Sequence, residues 1–149
     1  MTKAIYFDMD GTIADFYGVE NWLDYLKAEK TKPYRMARSL VNMRKLAKVL
    51  NQLQQNGYHI GVISWGSKFS TDSYLDKVRN AKIKWLAKHL GSVNFDEVKI
   101  VHYGTPKGSV VKFPNGILFD DEEQNRKAWN GKAYDVNAIL ETLNALLKD

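Results

Sequence analysis

Residues 3–12 read KAIYFDMDGT, and this stretch decides how the rest of the chain is interpreted. Residues 3–8 form a short apolar run with aromatic and β-branched members, a pattern typical of a buried strand. Asp8 ends the run and Asp10 follows two positions later, so both carboxylates point toward one place as the strand opens into a loop. Gly11 then permits the backbone turn that brings the chain back around them. The stretch predicts a buried strand with two acidic side chains at its carboxyl end.

Further apolar runs predict three more strands, at 58–64, 98–103 and 116–120. Helical spacing of apolar residues predicts helices at 36–55, at 73–90 and from Asp135, as N-cap, to the end of the chain. Strands that alternate with helices indicate an α/β fold with a parallel sheet. In such sheets ligands bind beyond the carboxyl ends of the strands.

Three of the predicted strands end in chemically useful side chains. These are Asp8, Ser64 and the pair Asp120 and Asp121. Their coincidence at one edge of the sheet is the main sequence argument for a functional site. The stretch at 17–44 is longer than an ordinary crossover and predicts a small helical insertion over that site, within a single domain of residues 1–149.

Composition narrows the class of protein. The 149 residues suit one domain, and no segment has the ~18 consecutive apolar residues that cross a bilayer. Acidic residues come too early for a secretory signal, so we expect a soluble, cytoplasmic protein without a membrane partner. The absence of cysteine excludes disulfides and thiolate metal sites. The net charge of +5 favours anionic partners. The basic stretch at 27–48 is open to two interpretations, a solvated helical face or a collar around an anion site.

The acidic residues fit phosphoryl transfer, which needs a nucleophile, cations and a proton donor. Asp8 supplies the nucleophile. Asp10 supplies the acid for the leaving group and later the base for water, and its backbone carbonyl is a further metal ligand. Mg²⁺ prefers oxygen ligands, which Asp8, Asp120 and Asp121 provide. So many carboxylates in one place argue for a cation, because without it they repel one another.

Three of these segments resemble motifs of the haloacid dehalogenase superfamily. FDMDGT resembles its first motif, D-x-D-G-T or D-x-D-G-V after a hydrophobic strand, and ILFDD resembles its fourth, acidic metal-binding motif. VIS, which ends at Ser64, resembles the second motif. The resemblance implies a Rossmann-like parallel sheet between helices, with a small helical cap inserted after the first strand. It also implies a Mg²⁺-dependent phosphatase that forms an aspartyl-phosphate.

The same resemblance assigns the phosphate-binding groups. The Ser64 hydroxyl and neighbouring backbone amides, at Trp65 and Gly66, are implied to hold the phosphoryl group. The third motif is a lysine near the start of a helix, and Lys107 in GTPKGSVV is the chosen candidate. Lys99 and Lys112 compete for this assignment.

A closer resemblance links the chain to the 5′(3′)-deoxyribonucleotidase branch of that superfamily. DMDGTIADF, KIKWLAKHLG and the K-x-V-V before ILFDD are similar to segments of that branch. The branch implies a nucleoside monophosphate or similar small phosphate as substrate, and Asp121 as the direct metal ligand. The chain departs from it at 17–56, which is shorter than the helical cap of that branch.

Side chains beside the motifs have candidate roles as well. Phe16 and Trp65 adjoin the motifs and are candidates to stack a base, whereas core packing is favoured for Trp22. Asp15 either caps the helix that follows or occupies an acidic position of the family. Two other functions stay open: a phosphatase of nucleic-acid ends, which suits the basic stretch, and a catalytically silent phosphate-binding module. A dehalogenase is not favoured, because it needs neither Asp10 nor the acidic pair.

Overall fold

The computed structural model describes residues 2–149. Its strands are β1 (Ala4–Phe7), β2 (Ala14–Asp15), β3 (Arg38–Ser39), β4 (His59–Trp65), β5 (Glu97–Val101), β6 (Ile117–Phe119) and β7 (Ala133–Tyr134). Its α-helices are α1 (Trp22–Lys27), α2 (Lys32–Met36), α3 (Met43–Gln55), α4 (Asp72–His89), α5 (Glu123–Ala128) and α6 (Ile139–Leu147). Short 3₁₀ helices lie at Phe16–Gly18, Lys107–Ser109 and Val136–Ala138.

The five strands of the main sheet lie in the order β5-β4-β1-β6-β7, and all neighbours are parallel. The first strand of the chain is therefore the central one, and all four of its residues are buried. Its side chains alternate between two cores: Ile5 and Phe7 join a cluster that α3 and α6 complete, whereas Tyr6 packs with Leu118 and Trp129. A strand covered on both faces requires the apolar run that the sequence shows. The predicted parallel α/β sheet is confirmed.

The helix predicted at 36–55 is wrong in its first part. The Asn42 side chain accepts a hydrogen bond from the backbone amide of Lys45, so α3 begins after this N-cap. The residues before it end α2 and form β3, which pairs antiparallel with β2. Asp135 does act as an N-cap, through a hydrogen bond from Val136 N to its side chain, but a 3₁₀ turn precedes α6.

The segment between β1 and α3 contains β2, a 3₁₀ turn, α1, α2 and β3. The predicted helical insertion at 17–44 thus corresponds to two short helices, and its role as a cap stays a prediction. Among the helices of residues 2–149, none has the length and apolar character required to cross a membrane.

Candidate active site

The Asp8 carboxylate is fixed at the carboxyl end of the central strand. Its Oδ1 accepts a hydrogen bond from Lys107 Nζ at 3.1 Å, and its Oδ2 accepts one from Thr12 Oγ1 at 3.0 Å. Its backbone amide donates to the carbonyl of Phe119 in β6 at 2.9 Å. With both carboxylate oxygens and the backbone held, Asp8 presents one defined orientation to the cavity beside it.

A tight turn follows Asp8 and brings the chain back against the acidic pair. The backbone amides of Thr12, Ile13 and Ala14 all point to the carbonyl of Met9, each at 3.0 Å. Gly11 has φ +80°, and a Cβ placed there would lie 2.8 Å from Cγ of Asp121. Glycine is thus required twice, by the left-handed backbone and by the close approach of a carboxylate.

Gly11→Ala is expected to cost more than backbone strain alone, because the new methyl group would displace Asp121. Gly57→Ala is the matched control, since Gly57 has φ +89° and nothing lies within 4 Å of its added Cβ. Left-handed strain of about 1–2 kcal/mol should then be common to both variants. Unfolding free energies and Mg²⁺ affinities measured for both test this. Equal losses in the two variants would contradict the clash with Asp121.

Asp120 and Asp121 follow β6 and complete the acidic group. Asp120 Oδ2 accepts a 2.6 Å hydrogen bond from Lys107 Nζ, and the Asp121 amide donates to Thr12 Oγ1 at 3.1 Å. One carboxylate oxygen from each of Asp8, Asp120 and Asp121 lies within 4.8 Å of the others. Lys107 and Thr12 therefore join the loops after β1 and β6 into one site.

The charges of this group are unbalanced. Burial and the charge of Asp8 raise the pKa of Asp120 to about 6 and that of Asp121 to about 7. Burial alone would lower the pKa of Lys107, but the carboxylates of Asp8 and Asp120 outweigh it and the net shift is upward. One ammonium thus faces three carboxylates. Their oxygens suit a hard divalent cation such as Mg²⁺, which would relieve this repulsion.

Among the candidate third-motif lysines, the structure distinguishes Lys107 clearly. It is buried and bridges Asp8 and Asp120, whereas Lys99 and Lys112 are exposed. It lies in the 3₁₀ turn Lys107–Ser109 before β6, and its role as the third-motif lysine stays a prediction.

A second buried lysine, Lys82 on α4, was not predicted. It is 1% exposed, and its Nζ donates to Asp10 Oδ2 at 3.0 Å, Ser64 Oγ at 2.7 Å and the Trp65 carbonyl at 2.8 Å. All three ammonium protons therefore have acceptors. The ring of Tyr34 lies 5.2 Å away. Lys82 holds the proposed acid–base residue against the end of β4.

The Asp10 carboxylate does not belong to the three-carboxylate group, and its Oδ2 accepts a hydrogen bond from Lys82. Burial raises its pKa, and the charge of Lys82 opposes this shift. Its carboxylate is thus separate from the candidate cation ligands, and a metal contact through its backbone carbonyl stays a prediction.

The predicted phosphate-binding segment differs in detail from expectation. Ser64 is fully buried with its Oγ against Lys82, and the Gly66 amide already donates to the carbonyl of Val101 at 2.7 Å. A Cβ on Gly66 would lie 2.5 Å from Leu75 Cδ1, so a side chain there would require the end of Leu75 to shift. Phosphate contacts by Ser64, Trp65 and Gly66 stay predictions.

A cavity of about 490 Å³ opens above Asp8 and Asp10. Seven aromatic side chains contribute to its lining: Phe16, Tyr17, Trp22, Tyr34, Trp65, Phe69 and Tyr103. Phe16 is 3% exposed and its ring centroid lies 4.7 Å from that of Tyr34 and 5.4 Å from that of Trp22.

Asp15 makes no capping hydrogen bond to the 3₁₀ turn after it, so the capping role is wrong.

No protein-family model matches the chain, and no curated protein matches it either. Solved structures do. D,D-heptose 1,7-bisphosphate phosphatase from Burkholderia thailandensis is 11% identical, with a TM-score of 0.60 over 99% of this chain and 100% of that one. The enzyme of the same description from B. bronchiseptica, complexed with magnesium and phosphate, is 13% identical, with a TM-score of 0.57 over 97% and 99%. This chain has their fold. The expected Rossmann-like sheet between helices is confirmed by this likeness.

Proposed function

We propose that the chain is a Mg²⁺-dependent phosphomonoester hydrolase that forms an aspartyl-phosphate on Asp8. The observation that carries the proposal is the setting of Asp8 at the cavity floor. Lys107 and Thr12 hold its two oxygens, and the Asp120 and Asp121 carboxylates lie within 4.8 Å. A nucleophilic carboxylate beside an ammonium and a cation site is the arrangement that phosphoryl transfer requires.

In the first step, an oxygen of Asp8 attacks phosphorus as the bond from phosphorus to the leaving oxygen breaks. Asp10 gives its proton to that oxygen, and the alcohol leaves. In the second step, Asp10 takes a proton from water, whose oxygen attacks phosphorus and breaks the bond to Asp8. Inorganic phosphate leaves, and both aspartates return to their starting states.

The chain's own charges assist both steps. The Lys107 ammonium lies 3.1 Å from Asp8 Oδ1, where it can neutralise negative charge on the transferring group as a fixed point charge. Lys82 orients Asp10 through its 3.0 Å hydrogen bond. Mg²⁺ bound to Asp8, Asp120 and Asp121 would supply further neutralisation of the phosphoryl oxygens.

The substrate we propose is a nucleoside monophosphate or a similar small phosphate. The aromatic lining of the cavity supports a flat leaving group, because bases stack on aromatic side chains. The two similar enzymes are named as phosphatases of a sugar bisphosphate, and one of them holds magnesium and phosphate. Their names support phosphatase chemistry and Mg²⁺. Sugar phosphates are therefore the substrates with which nucleoside monophosphates should be compared.

Phosphate release from nucleoside monophosphates, hexose phosphates and p-nitrophenyl phosphate tests the proposal, with Mg²⁺ and with chelator. We expect Mg²⁺-dependent release, with nucleotides preferred. Preference for the hexose phosphates would contradict the proposed nucleotide substrate but would support the proposed hydrolase mechanism. A folded protein that hydrolyses none of them would favour the phosphate-binding module.

Removal of the cation should make stability depend on pH. The carboxyl pKa values of Asp120 and Asp121 rise from 3.8 to about 6 and about 7, so the folded state binds more protons than the unfolded state over that interval. Their contribution to stability therefore falls as pH rises from about 4 to about 7. We expect Mg²⁺ to raise Tm markedly at about pH 7.5 and little at about pH 5.

Calorimetry at both pH values, with Mg²⁺ or chelator, measures this effect. Asp121→Asn serves as the comparison variant, since it removes one of the repelling charges and one cation ligand. The stabilisation by Mg²⁺ should be smaller in this variant. A wild-type Tm that does not change on addition of Mg²⁺ at about pH 7.5 would contradict the assigned cation site.

A further inference from the structure

A series of aromatic rings and ammonium groups runs from the nucleophile to the outer surface. Lys107 Nζ lies 5.3 Å from the Trp65 ring centroid, and the Trp65 and Tyr103 ring centroids are 4.9 Å apart. Lys68 Nζ then lies 6.0 Å from the Tyr103 ring and 5.3 Å from the ring of Phe69. Rings and cations thus follow one another outward from Asp8.

The outer end of this series is exposed to an unusual degree. Phe69 is 92% exposed and adopts φ +62°, a left-handed conformation that is unfavourable for a bulky residue. Tyr17, Leu23 and Tyr103 are also exposed large hydrophobic residues, and all four line the same cavity. Apolar side chains gathered at the mouth of a cavity mark a binding surface rather than a random surface.

Two cations at this mouth have no acidic partner. Lys27 and Lys68 line the cavity, and among residues 2–149 no carboxylate forms an ion pair with either. The chain as a whole carries a net charge of +5. The mouth therefore offers unpaired positive charge next to exposed aromatic rings. Proteins bind single-stranded nucleic acids with this combination, because cations contact the phosphates and aromatic rings stack on the bases.

The geometry points to a second nucleotide position at Tyr103, Lys68 and Phe69, at the mouth of the cavity that receives the terminal nucleotide. The ligand is the end of a single-stranded oligonucleotide that bears a terminal phosphate. The terminal base occupies the cavity, the next phosphate pairs with Lys68, and the next base stacks on Phe69. This inference rests on the proposed function, because it extends the leaving group of the same reaction.

The test compares a deoxyadenosine monophosphate with the matching dinucleotide and tetranucleotide, each with one terminal phosphate. Both the 5′- and the 3′-phosphorylated series are assayed for kcat/KM. For the series that the enzyme accepts, kcat/KM should rise about tenfold from mononucleotide to dinucleotide, which is the effect of one stacked base. It should rise little further for the tetranucleotide, since only one additional position is present.

Variants of Phe69 locate the effect. Phe69→Ala should bring the ratio of dinucleotide to mononucleotide kcat/KM close to one, whereas Phe69→Tyr should preserve it. Met36→Ala is the matched control, because Met36 is 59% exposed and does not line the cavity. It should leave the ratio as in the wild type.

Each adverse outcome has a distinct meaning. A wild-type ratio near one, or a ratio that Phe69→Ala does not change, would overturn the second position and leave the hydrolase intact. Hydrolysis of p-nitrophenyl phosphate or hexose phosphates without any nucleotide turnover would also overturn it. Wild-type protein that releases phosphate from no substrate would overturn the proposed function together with this inference.

Discussion

Asp8→Asn is expected to lower kcat for phosphate release by about 10⁴–10⁶-fold, the loss that follows removal of a catalytic nucleophile. The amide is nearly isosteric with the carboxylate but carries no charge to attack phosphorus. Its oxygen can still accept from Lys107 or Thr12, which now hold the two carboxylate oxygens. The variant should therefore fold, and its loss of activity should reflect chemistry alone.

Two controls separate this loss from damage to the fold. Asp76→Asn removes a carboxylate on α4 whose ion-pair partner among residues 2–149 is Arg79 on the exposed surface, and it should retain wild-type kcat. Tm is measured for both variants. Asp8→Asn also removes one of the charges that raise the pKa values of Asp120 and Asp121, so its Tm in chelator should not fall below that of the wild type.

The covalent intermediate provides a second readout. Wild-type protein quenched with acid during turnover should show the added mass of one phosphoryl group on the peptide that contains Asp8, and Asp8→Asn should not. Substantial turnover by Asp8→Asn would assign the attack on phosphorus to water or to another residue. That outcome would contradict the role of Asp8 as nucleophile, but it would not affect the assignment of the cation site.

The parts of the fold predicted from sequence are those with a strong local signal. Four strands meet the predictions: β1, β4 and β6 are largely buried, and their apolar runs show this burial directly. The fourth, β5, lies at the edge of the sheet with only Ile100 buried, and it was found from its β-branched residues. β2, β3 and β7 have only two residues each, too few to show any periodicity. Their pairing depends on contacts between distant parts of the chain.

The site shows the same division. The sequence predicted two acidic pairs, Asp8 with Asp10 and Asp120 with Asp121. The members of each pair are close together in the sequence, and each pair lies at the end of a predicted strand. Thr12 lies inside the first motif, yet its link to Asp121 spans 109 residues and has no local signal. The contact of Lys82 with Asp10 spans 72 residues.

The role of Lys82 nevertheless has a detectable signal in the sequence. It occupies the core-facing stripe of α4, between the buried residues Val78, Ala81 and Trp85. A lysine in such a stripe is rarely buried without acceptors, so it signals an acidic or carbonyl partner at the end of a neighbouring strand. The burial of Ser64 has the same origin, since its hydroxyl completes the hydrogen bonds of Lys82.

Lys82→Met should produce the second large effect, because it removes three hydrogen bonds in a buried place. Asp10 and Ser64 would lose their partner, and Asp10 would be free to rotate away from the leaving oxygen. We expect kcat to fall by about 10²–10⁴-fold, the usual contribution of a positioned acid–base group. The free energy of unfolding should fall by about 3–5 kcal/mol, as when one partner of a buried ion pair is removed.

Lys84→Met is the matched control, since Lys84 lies two residues further along α4 and is exposed. It should change neither kcat nor stability. Lys82→Arg keeps the charge, but a planar guanidinium cannot reproduce the three directions of the ammonium protons, so it should restore stability more than kcat. If Lys82→Met instead kept wild-type kcat while losing stability, Lys82 would only support the fold, and Asp10 would need no help to reach the leaving group.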